Sequence, residues 1–264
     1  MEIGGNRLKN ASQGFLLAWQ FFSFVPIKKQ LDMNKSSITW MYASLPLIGL
    51  VIGALLSGGA YVLMSYSDIS NLLLSILLVV GMVVFTGGLH LDGFIDMCDA
   101  FFSYGDKEKR LQVLDDPRTG AFGVLGIVSL LLLKLGFVYE ALAQGQLAIL
   151  VYIVMIPYIA RIGMLVYFVT MNTSKQTGLA AYFKAQVVTK HLVIYSAVLF
   201  ILLSAVLIYV GMYSFFILVT IMLAIVVIYR KWSYRNFGGM SGDLLGALGE
   251  ILEVMLWLTA LLCI

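Results

Sequence analysis

Runs of about 20 residues with almost no charge recur along this 264-residue chain and leave few folds open to it. The chain is 61% hydrophobic and only 12% charged, whereas a soluble domain has about 25% charged residues. Runs of this length match the ~30 Å hydrocarbon core of a bilayer. The sequence therefore predicts an all-α, polytopic membrane helical bundle that forms a single domain over residues 1–264. The net charge of +3 is mild, and we expect no nucleic-acid partner.

Apolar windows predict seven transmembrane helices. They cover residues 40–66, 71–90, 121–142, 147–171, 191–209, 213–229 and 244–264. The earlier apolar stretch, residues 15–27, is too short to span a bilayer and ends near Pro26. We expect it to form a short interfacial helix.

The connections between these spans differ in charge. The segments SYSDIS (65–70), AQGQ (143–146) and GMYS (211–214) contain no lysine or arginine. Basic residues outside the spans all lie in the other connections or near the N-terminus: Arg7, Lys9, Lys28, Lys29, Lys35, Lys107, Lys109, Arg110, Arg118, Lys175, Lys184, Lys190, Arg230, Lys231 and Arg235. Because positively charged loops stay in the cytoplasm, the N-terminus is predicted inside and the C-terminus outside. The long polar loops are then cytoplasmic.

Six of the nine aspartates lie in one segment, residues 87–123, which follows the second predicted span. Asp92, Asp96 and Asp99 are spaced i, i+4 and i+7, which places them on one stripe of a helix. Carboxylates so close together repel one another, and a divalent cation such as Mg²⁺ or Mn²⁺ would relieve the repulsion. The alternative is a helix end with solvated acids. The stripe predicts a metal site.

Three neighbours of this stripe are candidate ligand-binding residues. Gly88 and Gly93 leave backbone exposed, so a bulky ligand can approach. His90 is either a ligand or acid–base group, or an interfacial histidine with a backbone partner.

The segment DDPRTGAFG (115–123) adds acid, arginine and glycine before the third predicted span. Arg118, beside Asp116, can hold a phosphate through two parallel hydrogen bonds. Gly120 can let backbone N–H groups approach an anion near a helix N-terminus. The alternative is an ordinary interfacial turn in which Arg118 is an orientation signal.

A second cluster, FGGMSGDLLGALGEILE (237–253), begins at the cytoplasmic entrance of the last predicted span. Gly239, Gly242 and Asp243 lie at this entrance. Together with the first cluster they indicate phosphoryl transfer, in which metal ions neutralise charge on the transferred group. The residues alone therefore predict a metal-dependent enzyme acting on a phosphorylated substrate at the cytoplasmic face.

Two glutamates follow inside the last span. Glu250 and Glu253 share a helix face with Asp243, and intramembrane carboxylates face a polar cavity or a charged partner. The candidate partners are Arg161 and Lys134. The pattern favours function over packing for Glu250 and leaves Glu253 open.

Two other classes of protein remain alternatives. A transporter would use Arg161, Lys134 and the two glutamates as an ion or substrate path. A CDP-alcohol phosphotransferase also sets spaced aspartates on membrane helices, but its Asp-Gly is followed within a few residues by Ala-Arg. Here Asp-Gly is followed by Phe94-Ile95-Asp96.

Three segments, GGLHLDGFIDMCDAFF (87–102), DDPRTGAFGVLG (115–126) and GGMSGDLLGALGE (238–250), closely resemble the cobalamin synthase family, the adenosylcobinamide-GDP ribazoletransferases. The resemblance covers nearly the whole chain. It implies a prokaryotic cytoplasmic-membrane enzyme of late vitamin B12 assembly that requires Mg²⁺. Its substrates would be adenosylcobinamide-GDP and α-ribazole or its 5′-phosphate, and its products adenosylcobalamin or its 5′-phosphate and GMP. Membrane lipid and other corrinoid-pathway proteins are further expected partners.

The resemblance also implies roles for individual residues. Asp92, Asp96 and Asp99 would bind Mg²⁺ and through it the pyrophosphate, and His90 would accept a proton from the attacking hydroxyl. The expected catalytic residues are His90, Asp92, Asp96, Arg118 and Asp243. The expected substrate-binding residues are Gly88, Gly93, Asp116, Arg118, Gly120, Arg161, Gly239, Gly242 and Glu250.

Overall fold

The apolar runs fold into helices, and the residues described by the computed structural model contain no β-strand. Those residues are 2–103, 105–145, 147–209 and 211–263, with side chains from residue 8 onward. The described helices are α1 Glu2–Phe22, α2 Lys35–Ala43, α3 Leu45–Tyr66, α4 Asn71–Thr86, α5 Leu89–Phe102, α6 Lys107–Leu114, α7 Ala121–Ala143, α8 Ile149–Thr170, α9 Leu179–Gln186, α10 Thr189–Tyr209, α11 Ser214–Phe237 and α12 Gly242–Cys263.

Within the described part of the chain, six helical segments are long and apolar enough to cross a membrane. They are α2 with α3, and then α7, α8, α10, α11 and α12. The pair formed by α4 and α5 passes the same test only when counted as one span, and it is bent by 91°. The prediction of an all-α polytopic bundle with about seven spans is confirmed, and the seventh span depends on this bent pair.

The bend lies at two glycines inside the second predicted span. Gly87 and Gly88 have φ angles of 64° and 74°, a left-handed region that residues with a Cβ rarely adopt. Helix α4 therefore ends at Thr86, and α5 starts in a new direction at Leu89. The sequence places the acidic stripe directly after the second predicted span, and the structure adds a sharp turn between the two. The stripe lies on a helix of its own.

Other boundaries also differ from the predicted ones. The N-terminal helix runs over Glu2–Phe22 rather than 15–27, and it packs closely on α2. A Cβ added at Gly14 would lie 2.3 Å from Cβ of Trp40. Helix α11 continues to Phe237, past the predicted end at residue 229, because its later residues are polar enough to leave the apolar window but still favour a helix.

Helix α8 lies at the centre of the bundle, with most of its side chains buried. Two glycines of α3 allow close approach to it: a Cβ at Gly49 would lie 2.6 Å from the carbonyl oxygen of Pro157, and one at Gly53 would lie 2.7 Å from that of Ile153. Small residues at such crossings are typical of membrane helices. Helix α12 packs on α8 and also on α5, and in this way it links the core to the acidic stripe.

Candidate active site

A cavity of about 330 Å³ lies where the first turns of α5 and α12 meet the segment after α8. Its polar lining includes His90, Asp92, Asp115, Lys175, Ser241 and Asp243, together with Thr173, Ser174 and Thr177. Its aromatic lining includes Phe21, Phe22, Tyr42, Phe168 and Phe183. The cavity therefore presents charged and flat apolar surfaces to one ligand, a combination typical of small-molecule sites.

Two glycines bring α5 and α12 together at this cavity. A Cβ at Gly93 would lie 2.7 Å from backbone atoms of Asp243, and one at Gly246 would lie 3.1 Å from Cα of His90. Only a residue without a side chain permits this approach at Gly93. As a result, Asp92 and Asp243, which are far apart in sequence, line the same cavity.

Asp92 occupies the first turn of α5. The N-cap of this helix, Gly88, offers no side chain to the free N–H groups. A carboxylate at a helix N-terminus interacts favourably with the helix dipole. The position of Asp92 is therefore electrostatically favourable, whereas a position at a helix C-terminus would be unfavourable.

Asp99, at the far end of the stripe, has backbone partners. It is buried, and its two carboxylate oxygens accept hydrogen bonds from the backbone N–H groups of Gly120 and Gly123, each at 2.7 Å. Gly120 is the N-cap of α7 and has no capping side chain of its own. Asp99 thus caps α7 from α5, and the N–H group of Gly120 points to Asp99 instead of a substrate anion.

The other carboxylates remain close to one another. Asp96 is half-buried and lies within electrostatic range of Asp92, Asp99 and Asp243, and Asp243 is similarly close to Asp115. Among the residues that the structure describes, no three His, Cys, Asp or Glu side chains form a group that could by itself hold a metal ion. The cluster therefore concentrates negative charge but does not by itself supply a complete set of metal ligands.

His90 is the most buried polar residue of the cavity lining, with 3% of its surface exposed. Its Nε2 atom has no hydrogen-bond partner among the residues that the structure describes. Buried polar atoms are nearly always paired, so this occluded nitrogen is an exception inside the protein, next to the cavity.

The loop before α7 forms a local ion pair. The guanidinium of Arg118 donates from Nε and from a terminal nitrogen to the two carboxylate oxygens of Asp116, at 2.9 Å and 2.6 Å. The hydrogen bonds from the Arg118 side chain lower the pKa of Asp116 to about 2. The side chain of Arg118 is 86% exposed, and neither residue is part of the cavity lining.

A buried ion network links α7, α8 and α12 inside the bundle. Nζ of Lys134 donates to Glu250 at 2.6 Å and to Glu253 at 2.9 Å, and Arg161 pairs with Glu253. All four side chains are buried. The network contains two positive and two negative charges, so each charge has an opposite partner.

The segment after α8 is fixed to the start of α12 by backbone pairing. The N–H of Ser174 donates to the carbonyl oxygen of Met240 at 2.8 Å. The N–H of Met240 donates to the carbonyl oxygen of Asn172 at 2.9 Å. A Cβ at Gly239 would lie 2.6 Å from the carbonyl oxygen of Asn172. The glycine permits this pairing, which closes one side of the cavity.

The chain matches the family model described as cobalamin-5-phosphate synthase over residues 14–261. The chain belongs to this family.

Similar curated proteins are named adenosylcobinamide-GDP ribazoletransferase. The one from Geobacillus kaustophilus (strain HTA426) is 34% identical over 257 residues, which cover 95% of each chain. The one from Geobacillus sp. (strain WCH70) is 36% identical over 253 residues, again 95% of each chain. The one from Clostridioides difficile (strain 630) is 32% identical over 254 residues, or 91% of this chain and 94% of the relative. No solved structure matches the chain.

In this member of the cobalamin-5-phosphate synthase family, several predicted site residues line one cavity and others do not. His90, Asp92, Gly242 and Asp243 line it. Asp96 lies beside these residues, within electrostatic range of Asp92 and Asp243.

Other predicted substrate-binding residues have structural contacts instead. Gly93 and Gly239 permit close backbone packing, and Gly120 takes part in the cap of α7. Gly88 provides the turn into α5 through its positive φ. For all four, the structure describes a backbone role, and direct ligand contact stays a prediction.

Arg161 and Glu250 are also predicted to bind substrate, and this stays a prediction. Both belong to the buried ion network and neither is part of the cavity lining. For Glu253 the sequence left open whether the side chain pairs with a buried cation or takes part in function. In the structure, both Glu253 and Glu250 pair with a buried cation. Intramembrane charges without partners are costly, and pairing removes most of that cost.

Two charged lining residues, Asp115 and Lys175, did not stand out in the sequence as site residues. Nζ of Lys175 pairs with the carboxylate of Asp115 and donates to the carbonyl oxygen of Leu111 at 3.0 Å. A single lysine in a polar loop has no spacing signal, and only the fold brings it to the cavity.

Proposed function

We propose that this chain joins adenosylcobinamide-GDP with α-ribazole, or with α-ribazole 5′-phosphate, and releases GMP. The names of its relatives supply the substrate class. The observation that carries the proposal is the meeting of two distant matched segments at one cavity, where Asp92 from the first lies with Asp243 from the second. The family match favours a ribazoletransferase over the transporter and the CDP-alcohol phosphotransferase.

In the proposed reaction a ribose hydroxyl attacks the phosphorus that carries the cobinamide. A new phosphorus–oxygen bond forms, and the bond from this phosphorus to the oxygen of GMP breaks. The hydroxyl proton passes to a base, for which His90 is our candidate, because it lines the same cavity as Asp92 and Asp243 and an imidazole can accept a proton. Asp243 would orient the hydroxyl through its carboxylate.

The donor set fits Mg²⁺ held jointly by protein and substrate. Magnesium in phosphoryl-transfer sites binds one or two carboxylates, with phosphate oxygens and waters completing the octahedron. We propose Asp92 and Asp96 as the carboxylates, since those of Asp99 already accept two backbone hydrogen bonds. The bound ion would neutralise charge on the diphosphate.

We also propose that the cavity faces the cytoplasm. The connections at this end of the bundle contain the basic residues, whereas those at the opposite end contain none among residues 65–70, 143–146 and 211–214. Both expected substrates are charged, so a site open to the cytoplasm would receive them without a membrane crossing. Other corrinoid-pathway proteins would dock on the same side, which co-purification can test.

The function is tested by measuring GMP release from the full chain in nanodiscs with adenosylcobinamide-GDP, α-ribazole and Mg²⁺. We expect GMP and a cobalamin product in equal amounts, and loss of both in Asp92→Asn. The matched control is Asp68→Asn, an exposed aspartate in the connection between α3 and α4, which should keep wild-type turnover. Absence of product from a folded protein would overturn the proposal.

A further inference from the structure

One wall of the cavity, residues 175–182, has no buried side chain. Every residue of this segment is exposed or half-buried, and most of them line the cavity. Gly178, near its middle, is exposed and has a φ of 94°, and a Cβ added there would have nothing within 4 Å. Few buried contacts and an exposed backbone are features of a segment that opens at a low cost in free energy.

The segment is fixed at both ends. At one end, the N–H of Ser174 donates to the carbonyl oxygen of Met240 at 2.8 Å. At the other end, Phe183 is buried, and Nζ of Lys184 donates to the carbonyl oxygen of Val169 at 3.0 Å. A segment that is held at its ends and loosely packed between them can move as a unit, as active-site lids do.

Lys175 provides the polar contacts between this segment and the end of α6. Its Nζ atom pairs with the carboxylate of Asp115 and donates to the carbonyl oxygen of Leu111 at 3.0 Å. Within the described ranges, no other hydrogen bond or ion pair joins residues 175–182 to α6 or to Asp115. The two side chains are 29% and 69% exposed, so water weakens the ion pair. The contact therefore favours the closed position without locking it.

The other walls of the cavity are fixed by core packing. A Cβ added at Gly93 would lie 2.7 Å from the backbone of Asp243, so α5 and α12 are in direct backbone contact. The ring of Tyr42 stacks on Phe168 at 4.1 Å and meets Phe22 at 5.8 Å between ring centroids. Movement of these walls would disrupt close packing, so residues 175–182 form the wall that moves at the lowest cost.

We propose that residues 175–182 form a lid over the cavity, that the ion pair of Lys175 and Asp115 holds this lid closed, and that the lid opens to admit the substrates. This inference rests on the proposed function. The proposed reaction brings a nucleoside and a GDP group to one cavity, and a volume of about 330 Å³ is at the lower end of the range for one small-molecule ligand. The closed cavity must therefore enlarge before both can enter.

The first test measures opening without any substrate. In the variant Cys263→Ser the remaining cysteine, Cys98, is buried, and Leu245→Cys then adds a thiol on the buried α12 wall of the cavity. We expect Asp115→Asn and Lys175→Gln each to speed maleimide labelling of this thiol by about two- to fivefold in nanodiscs, because the ion pair is lost.

Two comparisons make this labelling test specific. The double variant of Asp115→Asn with Lys175→Gln should label no faster than either single variant, because both changes remove the same contact. Glu108→Gln is the matched control, since Glu108 is an exposed acid on α6 that does not line the cavity. Its labelling rate should equal that of the parent protein.

A cross-link tests whether turnover needs the opening. In the Cys263→Ser background, the variant Lys175→Cys with Asp115→Cys is treated with a short bis-maleimide, and a second sample with N-ethylmaleimide. Both reagents modify the same two thiols, but only the bis-maleimide ties the lid to the end of α6. We expect GMP release to be lost in the linked sample and kept in the unlinked one.

Three results would overturn the lid. Unchanged labelling in both single variants would show that the ion pair does not hold the segment closed. Faster labelling in Lys175→Gln but not in Asp115→Asn would show that Lys175 does not act through Asp115. Full GMP release from the linked sample would show that turnover needs no opening. Labelling involves no substrate, so a protein that opens but never releases GMP would refute the proposed function alone.

Discussion

Asp99 and Asp92 belong to the same helical stripe, yet the structure gives their carboxylates different surroundings. Asp99 is buried against two backbone N–H groups, whereas Asp92 is exposed at the cavity. The sequence placed both on one helix face correctly. It could not separate their roles, because the partner of Asp99 is the start of α7, which only the tertiary fold brings near.

Replacement of Asp99 should reduce stability more than Mg²⁺ affinity. In Asp99→Asn one backbone N–H of α7 loses its acceptor, and we expect a loss of about 1–2 kcal/mol in the free energy of unfolding. Asp92→Asn should leave the melting temperature near the wild-type value. It should either abolish activity at every Mg²⁺ concentration or raise the Mg²⁺ concentration that gives half-maximal activity. Thermal unfolding in detergent and Mg²⁺ titration of GMP release distinguish the two variants. A raised Mg²⁺ requirement in Asp99→Asn, with unchanged stability, would contradict the capping role.

The buried network gives a second prediction for single residues. Lys134→Met leaves Glu250 without its cation inside the bundle, and we expect a loss of about 3–5 kcal/mol in stability. The double variant Lys134→Met with Glu250→Met removes one charge of each sign and leaves the pair of Arg161 and Glu253. The double variant should be more stable than the single one in thermal unfolding. If it is equally unstable, the charges are not coupled.

Among the secondary-structure elements, the crossing of α5 and α12 controls the site. Gly93→Ala places a methyl group 2.7 Å from the backbone of Asp243, so the helices must separate. We expect a loss of about 1–3 kcal/mol in stability and of most GMP release, because Asp92 and Asp243 move apart. Gly136→Ala in α7 is the matched control, since its added Cβ would have nothing within 4 Å. Equal activity of the two variants would show that this crossing tolerates extra volume.

The helices themselves were largely predictable, and the turn between α4 and α5 was not. Hydropathy detects apolar length, and the apolar run continues through Gly87 and Gly88 into Leu91. The glycine pair was visible in the sequence, but its positive φ angles were not. Similarly, α11 runs on to Phe237 because helix formation continues after hydropathy falls. In both cases the hydropathy pattern indicates whether a residue favours lipid or water. It does not indicate the backbone conformation of that residue.

At the level of the whole molecule, the charge asymmetry predicts the orientation in the membrane. The test starts from the variant Cys263→Ser, in which the remaining cysteine, Cys98, is buried. In this background, Tyr66→Cys should react with a membrane-impermeant maleimide added outside intact cells. A cysteine at Glu108 should react only after permeabilisation. Both positions are exposed. The opposite labelling pattern would invert the topology and place the cavity outside.

The size of the cavity has a consequence for substrate tolerance. A volume of about 330 Å³ is at the lower end of the range for small-molecule sites, enough for a nucleoside phosphate. A corrin macrocycle with its side chains and adenosyl group is much larger. The ring of the activated substrate would therefore remain at the membrane surface, with only its phosphate-bearing tail inserted. An enzyme built in this way should accept corrinoids with altered rings or upper ligands while it discriminates between nucleosides.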